Sequence, residues 1–303
     1  MSISRTVKQR LLFAILCVVW GMTWLAMKAG VNAVPPGIFS ALRWTIAGVV
    51  LIGWRVARGE PVLTSGRELW RIYLLTLPML VMNPIIMLYG LLYTSSGLAS
   101  VLSSALTPIA MVGFAAMLGQ ERFTARQVGA VLLGVAGILV LYGPKALAGT
   151  LGWPEAFGSL AIIFGNMLYC LASVLARPTL RTTPPGQWVA VSNIMGGLTL
   201  LVLCVAFEPG AIPALTFHWP ASALVGLVFL ICAGSLGATI IFFILVRDWG
   251  AGRTGTYAFI SPIIAVMFGM AVFGETVTVL DTVGMAAMLA AAGLAMRRTP
   301  TTS

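Results

Sequence analysis

The sequence predicts an all-α, polytopic membrane protein with ten transmembrane helices in two inverted five-helix repeats. Three observations lead to this prediction: the composition, the spacing of apolar segments and an internal duplication. Of the 303 residues, 59% are hydrophobic and only 9% are charged, and the mean hydropathy is +1.01. Soluble domains carry about 25% charged residues. The composition therefore indicates a chain that lies within a lipid bilayer.

Ten apolar segments follow one another along the chain. Each is close to the roughly 20 residues that a helix needs to cross about 30 Å of hydrocarbon. The predicted spans are, roughly, 11–29, 37–57, 71–93, 97–119, 124–142, 156–176, 186–207, 221–246, 252–273 and 278–296. The period-two alternation of a transmembrane β-barrel is missing from them. The first segment has no small-residue cleavage site, which favours a retained helix over a signal peptide.

The chain is predicted to be a tandem repeat of residues 1–149 and 150–303. The matching pairs, at steps of 149 to 155 residues, are Lys28 with Arg177, Pro35-Pro36-Gly37 with Pro184-Pro185-Gly186, Gly48 with Gly197, Pro108 with Pro262, and Gly119-Gln120 with Gly274-Glu275. Five spans per copy is an odd number, so the second copy enters the membrane from the opposite side. Two similar halves of opposite orientation can expose a central site to each side in turn, which favours transport.

The positive charges predict the orientation. Of the 18 Lys and Arg residues, 15 fall in segments on one side of the predicted membrane. The other side holds Lys28 and Lys145, and Arg43 lies inside the second span. Because cytoplasmic loops collect Lys and Arg, both termini are predicted to be cytoplasmic, in a bacterial-type inner membrane. The net charge of +10 is spread over helix ends rather than gathered on one face, so no nucleic-acid partner is expected.

No pattern for an enzyme, metal or cofactor occurs. The sequence lacks His-Glu-x-x-His, Gly-x-Ser-x-Gly and a phosphate-binding glycine loop, and its four cysteines form no CxxC pair. We therefore expect no catalytic residue, no metal, no cofactor and no obligate protein partner. The eight acids lie near predicted membrane ends, and His218 lies in an outer loop. Proton-driven carriers need a titratable group inside the bilayer, so transport without obligatory proton coupling is predicted.

The first span carries candidate substrate-binding residues. Trp20 and Trp24 are four residues apart and share a helix face, with Thr23 beside them. Counting from Leu11 at about 1.5 Å per residue, Trp20 lies near the middle of the membrane, where aromatic belts do not occur. One interpretation is stacking on the side chain of a substrate. The other is ordinary packing.

The third span contributes a methionine and aromatic stripe and a proline. The candidates are Met82, Asn83, Tyr89 and Tyr93, with Pro84 as a hinge. A proline frees a backbone carbonyl one turn earlier, and in lipid such a group survives only beside protein or a water-filled cavity. The Asn83-Pro84 pair is therefore expected to face a cavity, whereas the stripe could equally be packing.

Pro108 and Pro262 also free a backbone carbonyl, in the fourth and ninth spans. Each is predicted to be a hinge, and the preceding Thr107 and Ser261 are expected to bond the freed carbonyls. Ser261 is also a candidate for substrate contact. In the second copy the candidates are Asn166, Tyr169 and Tyr257.

Arg43 is the one cation predicted to lie inside a span. It follows Gly37 by six residues, roughly 9 Å into the second helix. The helix dipole disfavours a cation near an N-terminus, so something must compensate for its charge. Two interpretations remain open. Arg43 pairs with a substrate carboxylate or a gate acid, or it bonds helix-end carbonyls and reaches outward.

Several strings, in this order, resemble the drug/metabolite transporter superfamily and its ten-helix EamA-type branch. They are Trp20-Gly21-Met22-Thr23-Trp24, Pro36 to Trp44, Tyr89 to Pro108 with its Tyr93-Thr94-Ser95-Ser96-Gly97 bend, and Phe273-Gly274-Glu275. The abundance of Trp, Tyr and Met in these helices is similar to that of YddG-type exporters of aromatic amino acids. Two departures stand out. The first copy reads Gly119-Gln120-Glu121 where Gly-Glu is typical, and Ser192-Asn193 stands opposite Arg43-Trp44.

The resemblance implies export of small amphipathic metabolites, with aromatic or apolar amino acids as the expected substrates and the lipid bilayer as surroundings. The alternatives are export of drugs or of phosphorylated sugars or nucleotides, and a membrane-embedded ligand sensor or assembly subunit. A phosphate binder is expected to bring two or more cations to its cavity.

Overall fold

The structure, a computed structural model, is all-helical over the residues it describes: 5–31, 33–62, 65–93, 96–121, 124–147, 152–273 and 279–296. The long helices are α1 (Arg5–Val31), α2 (Pro36–Ala57), α3 (Gly66–Leu92), α4 (Ser96–Met117), α5 (Ala125–Leu147), α6 (Trp153–Ala176), α7 (Pro185–Phe207), α8 (Ala221–Trp249), α9 (Tyr257–Phe273) and α10 (Val279–Met296). Short helical turns occupy Thr179–Arg181, Ala211–Ala214 and Ala251–Gly255. No strand occurs in these described ranges.

Six of the described helices are long and apolar enough to cross a membrane by length and composition: α1, α2, α3, α6, α7 and α8. Shorter apolar stretches lie in α4, α5 and α10, at Leu102–Met117, Ala125–Val140 and Thr282–Leu294. The predicted all-helical, multi-pass membrane fold is confirmed. The number of ten spans and the inversion of the halves remain predictions.

Two helices change from α to π geometry at their centres. The π segment of α3 is Leu77–Met82, and that of α8 is Leu230–Ala238. At their ends, the N–H of Asn83 donates to the carbonyl of Pro78, and the N–H of Thr239 donates to that of Gly234, each five residues earlier. In α3 the wider turn ends two residues before Pro84. Single π turns inside α-helices are frequent at functional sites.

Helices α2 and α7 form the most extensive helix pair and run antiparallel. Two glycines allow them to touch. A Cβ on Gly48 would lie 2.5 Å from the backbone nitrogen of Ile194, and one on Gly197 would collide with the backbone of Thr45. Ile194 follows Thr45 by 149 residues, the same step that separates the two glycines. The interface is therefore reciprocal, as in a two-fold contact.

Several other helix pairs also join the first half of the chain to the second. α1 packs on α8 and α9, whereas α6 packs on α3 and α4, and α5 packs on α10. Small residues meet in the last of these pairs. A Cβ on Gly137 would lie 2.8 Å from the carbonyl oxygen of Gly284 and 3.0 Å from the Cβ of Ala287. Close backbone contact of this kind is the usual way in which helices associate in lipid.

Candidate functional site

A cavity of about 180 Å³ lies at the centre of the helices, between α1, α2, α3, α4, α6, α8 and α9. Nine of the predicted substrate-binding and hinge residues line it together: Trp20, Thr23, Arg43, Asn83, Pro84, Asn166, Tyr169, Tyr257 and Ser261. Its walls reach Met27 and Ser40, beside the link between α1 and α2. No acid and no histidine is among the described residues that line it.

Aromatic rings close the end of the cavity that lies farther from the link between α1 and α2. The ring of Trp20 lies edge-on to Tyr257, with centroids 4.6 Å apart, and 5.0 Å from Phe242. Tyr169 lies 6.0 Å from Phe242. Tilted and edge-to-face rings at these distances attract one another beyond their buried area. We call Trp20, Tyr169, Phe242 and Tyr257 the aromatic floor.

Arg43 brings a positive charge into the cavity from α2. Its Nε donates to the Ser235 hydroxyl at 2.9 Å, and its guanidinium lies 4.1 Å from the ring centre of Trp44. The π segment of α8 makes room for it, because a Cβ on Gly234 would lie 3.0 Å from Nη2. Among the described ion pairs, no carboxylate neutralises Arg43. The outward-reaching interpretation does not match this inward placement.

A polar wall faces the floor where α4 meets α6. The hydroxyl of Thr107 donates to the carbonyl of Ser103 at 2.7 Å and lies 3.1 Å from Asn166 Oδ1. The amide of Asn166 in turn donates to the Ser103 carbonyl at 3.3 Å. Asn83 is buried on the α3 side of the cavity. The cavity therefore offers amide and hydroxyl oxygens on one side and rings below.

The hydrogen bonds expected of Thr107 and Ser261 differ from those observed. Thr107 bonds the carbonyl four residues before itself, which belongs to Ser103, and not the one that Pro108 frees. Ser261 donates across the helix interface to the carbonyl of Cys17 at 3.4 Å. The reason for this cross-helix bond is the tight approach of α1 to α9, where a Cβ on Gly21 would lie 2.8 Å from the Ser261 carbonyl.

Three predicted residues lie away from the cavity. Met82, Tyr89 and Tyr93 are exposed on the surface of α3. The cavity side of α3 is instead the stripe that contains Asn83, Pro84 and Met87. Sequence alone does not distinguish these stripes, because a lipid-facing surface and an apolar cavity wall have the same composition.

Tyr89 takes part in a separate cluster at the end of α7. Its hydroxyl donates to Glu208 at 3.2 Å, and the Glu208 carboxylate accepts the N–H groups of Gly37 and Ile38, both at 2.7 Å. These N–H groups begin α2 and have no partner within the helix. Glu208 therefore caps α2 from the other half of the chain.

Two predicted hinges do not line the central cavity. Pro108 lies inside α4 and lines a minor cleft against α5 rather than the central cavity, and Pro262 is buried inside α9. The side chain of Trp24 lies outside the described residues, as do Gly274 and Glu275.

Other cavity residues were not anticipated as substrate contacts. They include Met27, Ser40, Trp44, Met79, Met87, Ser103, Ser104, Thr107 and Thr239. Ser40 lies three residues before Arg43, and Met79 and Met87 lie four residues on either side of Asn83, so helical spacing from those positions finds them. Thr239 carries no such signal, since the π segment of α8 displaces the helical register before it.

A charged cluster ties together three segments near the end of the aromatic floor. Glu121, just after α4, lies 3.6 Å from Arg177 and accepts the N–H of Gly252 at 3.3 Å. Gln120 donates to the carbonyl of Val174 at 3.0 Å, and Arg177 donates to that of Gln120 at 3.2 Å. In the Gly119-Gln120-Glu121 string, which departs from the usual Gly-Glu, both polar residues therefore have partners. Glu121 pairs with the charge of Arg177, and Gln120 forms hydrogen bonds with the backbone of Val174 and with Arg177.

The pH dependence of stability is expected to change when Glu121 is replaced. Burial raises the pKa of Glu121, against the lowering effects of Arg177 and the N–H groups of Gly252 and Ala251. A carboxyl with a raised folded pKa stabilises fully below its unfolded pKa of about 4.3, and that stability is lost as pH rises through the folded pKa. Glu121→Gln should remove this decline.

The measurement is the thermal unfolding midpoint in detergent from acid to neutral pH. Glu60→Gln is the control, since Glu60 is half exposed and pairs with Arg55 and Arg58 at the surface. An unchanged decline in Glu121→Gln would assign the pH dependence to another group, and a variant less stable than the parent at neutral pH would show that the ion pair with Arg177 outweighs burial.

The fold and the cavity define the class: a multi-pass helical membrane protein with a small, central, largely uncharged cavity. The model of the EamA-like transporter family matches residues 8–143 and again residues 156–297. The chain therefore belongs to this family. The family identifies it as a membrane transporter rather than an enzyme.

Relatives agree with this membership. The chain is 26% identical over 274 residues to the "Uncharacterized inner membrane transporter YedA" of Escherichia coli (strain K12), covering 89% of this chain and 84% of that protein. It is 24% identical over 261 residues to the "Uncharacterized transporter YoaV" of Bacillus subtilis (strain 168), covering 86% and 87%. A solved structure described as "Crystal structure of protein" has a TM-score of 0.81 at 23% identity over 97% of each chain, a likeness of fold alone.

Proposed function

We propose that this protein exports small amphipathic metabolites across an inner membrane, first of all amino acids with aromatic or apolar side chains. The observation that carries the proposal is the placement of Arg43 above the aromatic floor in one cavity, with no described carboxylate to neutralise it. Two inverted five-helix halves would move the solute by alternating access. Both termini would be cytoplasmic.

The reciprocal packing supports the inverted halves. The Gly48 and Gly197 contacts exchange under the 149-residue step, and α2 and α7 run antiparallel. A two-fold axis that relates antiparallel helices lies across them, which in a membrane means the plane of the bilayer. The π segments Leu77–Met82 and Leu230–Ala238 occupy corresponding places in α3 and α8. Both halves would therefore deform at equivalent points.

The cavity chemistry supports a substrate with an anionic end and an apolar body. A buried cation is costly unless an opposite charge or hydrogen bonds compensate for it. A substrate carboxylate would supply that charge and accept the guanidinium N–H groups that Ser235 does not use. The apolar side chain would rest on Trp20, Tyr169 and Tyr257. An ammonium group would find the oxygens of Asn83 and Asn166.

The same lining argues against the larger and more highly charged alternatives. Arg43 is the one cation among the described lining residues, and a phosphate group is expected to bring two or more. Sites for drug-sized ligands are typically about 300 to 1,000 Å³, and this cavity is smaller. The absence of described acids and histidines from its lining supports movement down a substrate gradient without obligatory proton coupling.

The cavity walls support an outward-facing arrangement. They extend to Met27 and Ser40, beside the link that carries few cations in the sequence, whereas the aromatic floor and the Glu121–Arg177 pair would block the opposite path. Release to the outside would pass between Met27 and Ser40. Loading would require the floor to part and the ion pair to separate.

A proteoliposome flux panel tests the proposal. Purified protein is reconstituted alone and assayed with aromatic and aliphatic amino acids, sugar phosphates and cationic drugs, with and without a protonophore. We expect flux of the amino acids, unaffected by the protonophore. Flux of sugar phosphates or drugs alone would refute the substrate class, and collapse of flux with the proton gradient would refute the uncoupled mechanism.

Trp20→Ala is expected to raise KM for aromatic amino acids roughly tenfold, because ring contacts contribute about 0.5–1.5 kcal/mol beyond burial. Trp20→Phe keeps a ring beside Tyr257 and Phe242 and should change KM less. Trp54→Ala is the control, since that side chain is 61% exposed at the far end of α2. Equal effects of Trp20→Ala and Trp54→Ala would count against a floor that contacts substrate.

A further inference from the structure

A second, larger crevice of about 970 Å³ lies at the side of the protein, between α1, α9, α10 and the end of α8. It does not share a lining residue with the central cavity. The tight contact between α1 and α9, where Ser261 bonds the Cys17 carbonyl, separates the two. None of the residues that line this crevice belongs to the proposed substrate site.

One end of the crevice carries two arginine side chains, and hydrogen bonds order the residues around it. Arg10 and Arg253 both line it. The guanidinium of Arg253 lies 4.2 Å from the ring centre of Trp249, and the indole N–H of Trp249 donates to Gln9 at 2.9 Å. Gln9 also donates to Asp248 at 2.9 Å, which fixes the end of α8 to α1. Arg253 is thereby positioned at the crevice, and Arg10 lines the same crevice from α1.

The remainder of the crevice is apolar and runs along the membrane-spanning helices. Phe13, Ala14 and Val18 line it from α1, and Ile260 and Ile264 line it from α9. From Arg10 to Val18 the helix rises roughly 12 Å, at about 1.5 Å per residue. Gly293 of α10 leaves the crevice open, since a Cβ there would meet nothing within 4 Å.

The position of the crevice indicates what enters it. Leu11, Ile15 and Val18 on the adjoining surface of α1 are exposed, and in a membrane-spanning helix such residues face lipid. Arg10 and Arg253 belong to the cation-rich, predicted cytoplasmic side. Basic pockets between spans on that side attract anionic lipid headgroups. A lipid would therefore have to enter this crevice sideways from the bilayer.

We propose that the crevice binds one anionic phospholipid of the cytoplasmic leaflet. Its phosphate lies at Arg10 and Arg253, and one acyl chain follows α1 and α9 toward Gly293. A bound lipid would contact α1 and α9 next to the Cys17–Ser261 contact, behind the aromatic floor. If the protein works by the proposed alternating access, α1, α9 and the aromatic floor must move. Lipid composition would therefore affect that movement.

The test is lipid titration of delipidated, full-length protein in detergent, read by native mass spectrometry and by the thermal unfolding midpoint. The probes are phosphatidylglycerol, phosphatidylcholine and inorganic phosphate. We expect saturable binding of one phosphatidylglycerol and weaker binding of the zwitterionic lipid. The double variant Arg10→Gln/Arg253→Gln should bind phosphatidylglycerol roughly tenfold more weakly.

Two further variants make the result specific. Gly293→Leu keeps both arginines and fills the apolar part, so it should also lose lipid while folding normally. Arg58→Gln is the matched control, because Arg58 also stacks on a tryptophan, Trp54, at 5.6 Å, and is on the same predicted side but does not line the crevice. It should bind lipid as the parent does.

Three outcomes would overturn the proposal: equal affinity for both lipids, parental affinity in the double variant and in Gly293→Leu, or stabilisation by inorganic phosphate equal to that by phosphatidylglycerol. The last would assign the arginines to a soluble anion. None of these results depends on transport, so the lipid site and the substrate proposal can fail separately.

Discussion

Arg43→Gln is expected to lower kcat/KM for amino acid transport about 10- to 100-fold without loss of stability. Hydrogen bonds to charged groups contribute about 1.5–3 kcal/mol each, and every 1.4 kcal/mol is a factor of ten. The variant removes the cation that would bind the substrate carboxylate. It also removes the cost of a buried charge with no described acidic partner, so the unfolding midpoint should be equal or higher.

Measuring both transport kcat/KM and the unfolding midpoint distinguishes a substrate-binding role of Arg43 from a structural role. Arg43→Lys keeps the charge but loses the planar fork, so it should fall between the parent and Arg43→Gln in transport. Arg58→Gln, at the surface, controls for a general loss of positive charge. Parental transport by Arg43→Gln, or a loss of stability in proportion to a loss of transport, would assign Arg43 to the scaffold instead.

Gly48→Ala is expected to destabilise the protein by about 1–3 kcal/mol, the usual cost of overpacking a tight interface. The added Cβ would lie 2.5 Å from the nitrogen and 2.7 Å from the Cα of Ile194. Because these are backbone atoms, no side-chain rotation relieves the collision, and α2 and α7 must separate. The reciprocal variant Gly197→Ala should cost a similar amount, since it collides with the backbone of Thr45.

Gly53→Ala is the matched control on the same helix, because a Cβ at Gly53 meets nothing within 4 Å. It should be neutral or stabilising by about 1 kcal/mol, as expected for Gly replaced by Ala in a helix. The unfolding midpoint in detergent measures all three variants. The double variant Gly48→Ala/Gly197→Ala should cost less than the sum of the two, since one separation relieves both collisions. A Gly48→Ala variant as stable as Gly53→Ala would contradict the observed helix contact.

Much of the membrane fold could be predicted from the sequence. A chain with 59% hydrophobic residues is expected to lie in a lipid bilayer. Because lipid offers no hydrogen-bond partners, the backbone must satisfy its own hydrogen bonds there, and this favours α-helices. The matching Pro-Pro-Gly strings anticipated the starts of α2 and α7 within a residue, because proline is favoured in a first helical turn. The wide π turns of α3 and α8 carried no comparable signal.

Some residues of the candidate site could be identified from the sequence, and others could not. Polar and charged residues inside a span are expensive in lipid, so Arg43, Asn83 and Asn166 could be selected from the sequence, and all three line the cavity. Apolar and aromatic residues carry no such cost. Met82 and Tyr93 satisfied the same pattern as Tyr169 but lie at the surface.

The sequence by itself determined that this chain is a helical, multi-pass membrane protein with few charges available to its interior, since both follow from composition and the spacing of apolar segments along one dimension. Only the tertiary structure decided which face of each helix encloses the cavity, that Ser235 holds Arg43, and that Glu208 caps the opposite half. Those outcomes depend on how helices far apart in sequence rotate against one another. In a bilayer that rotation is determined by close contacts such as Gly48 against Ile194, because lipid and an apolar cavity attract the same side chains.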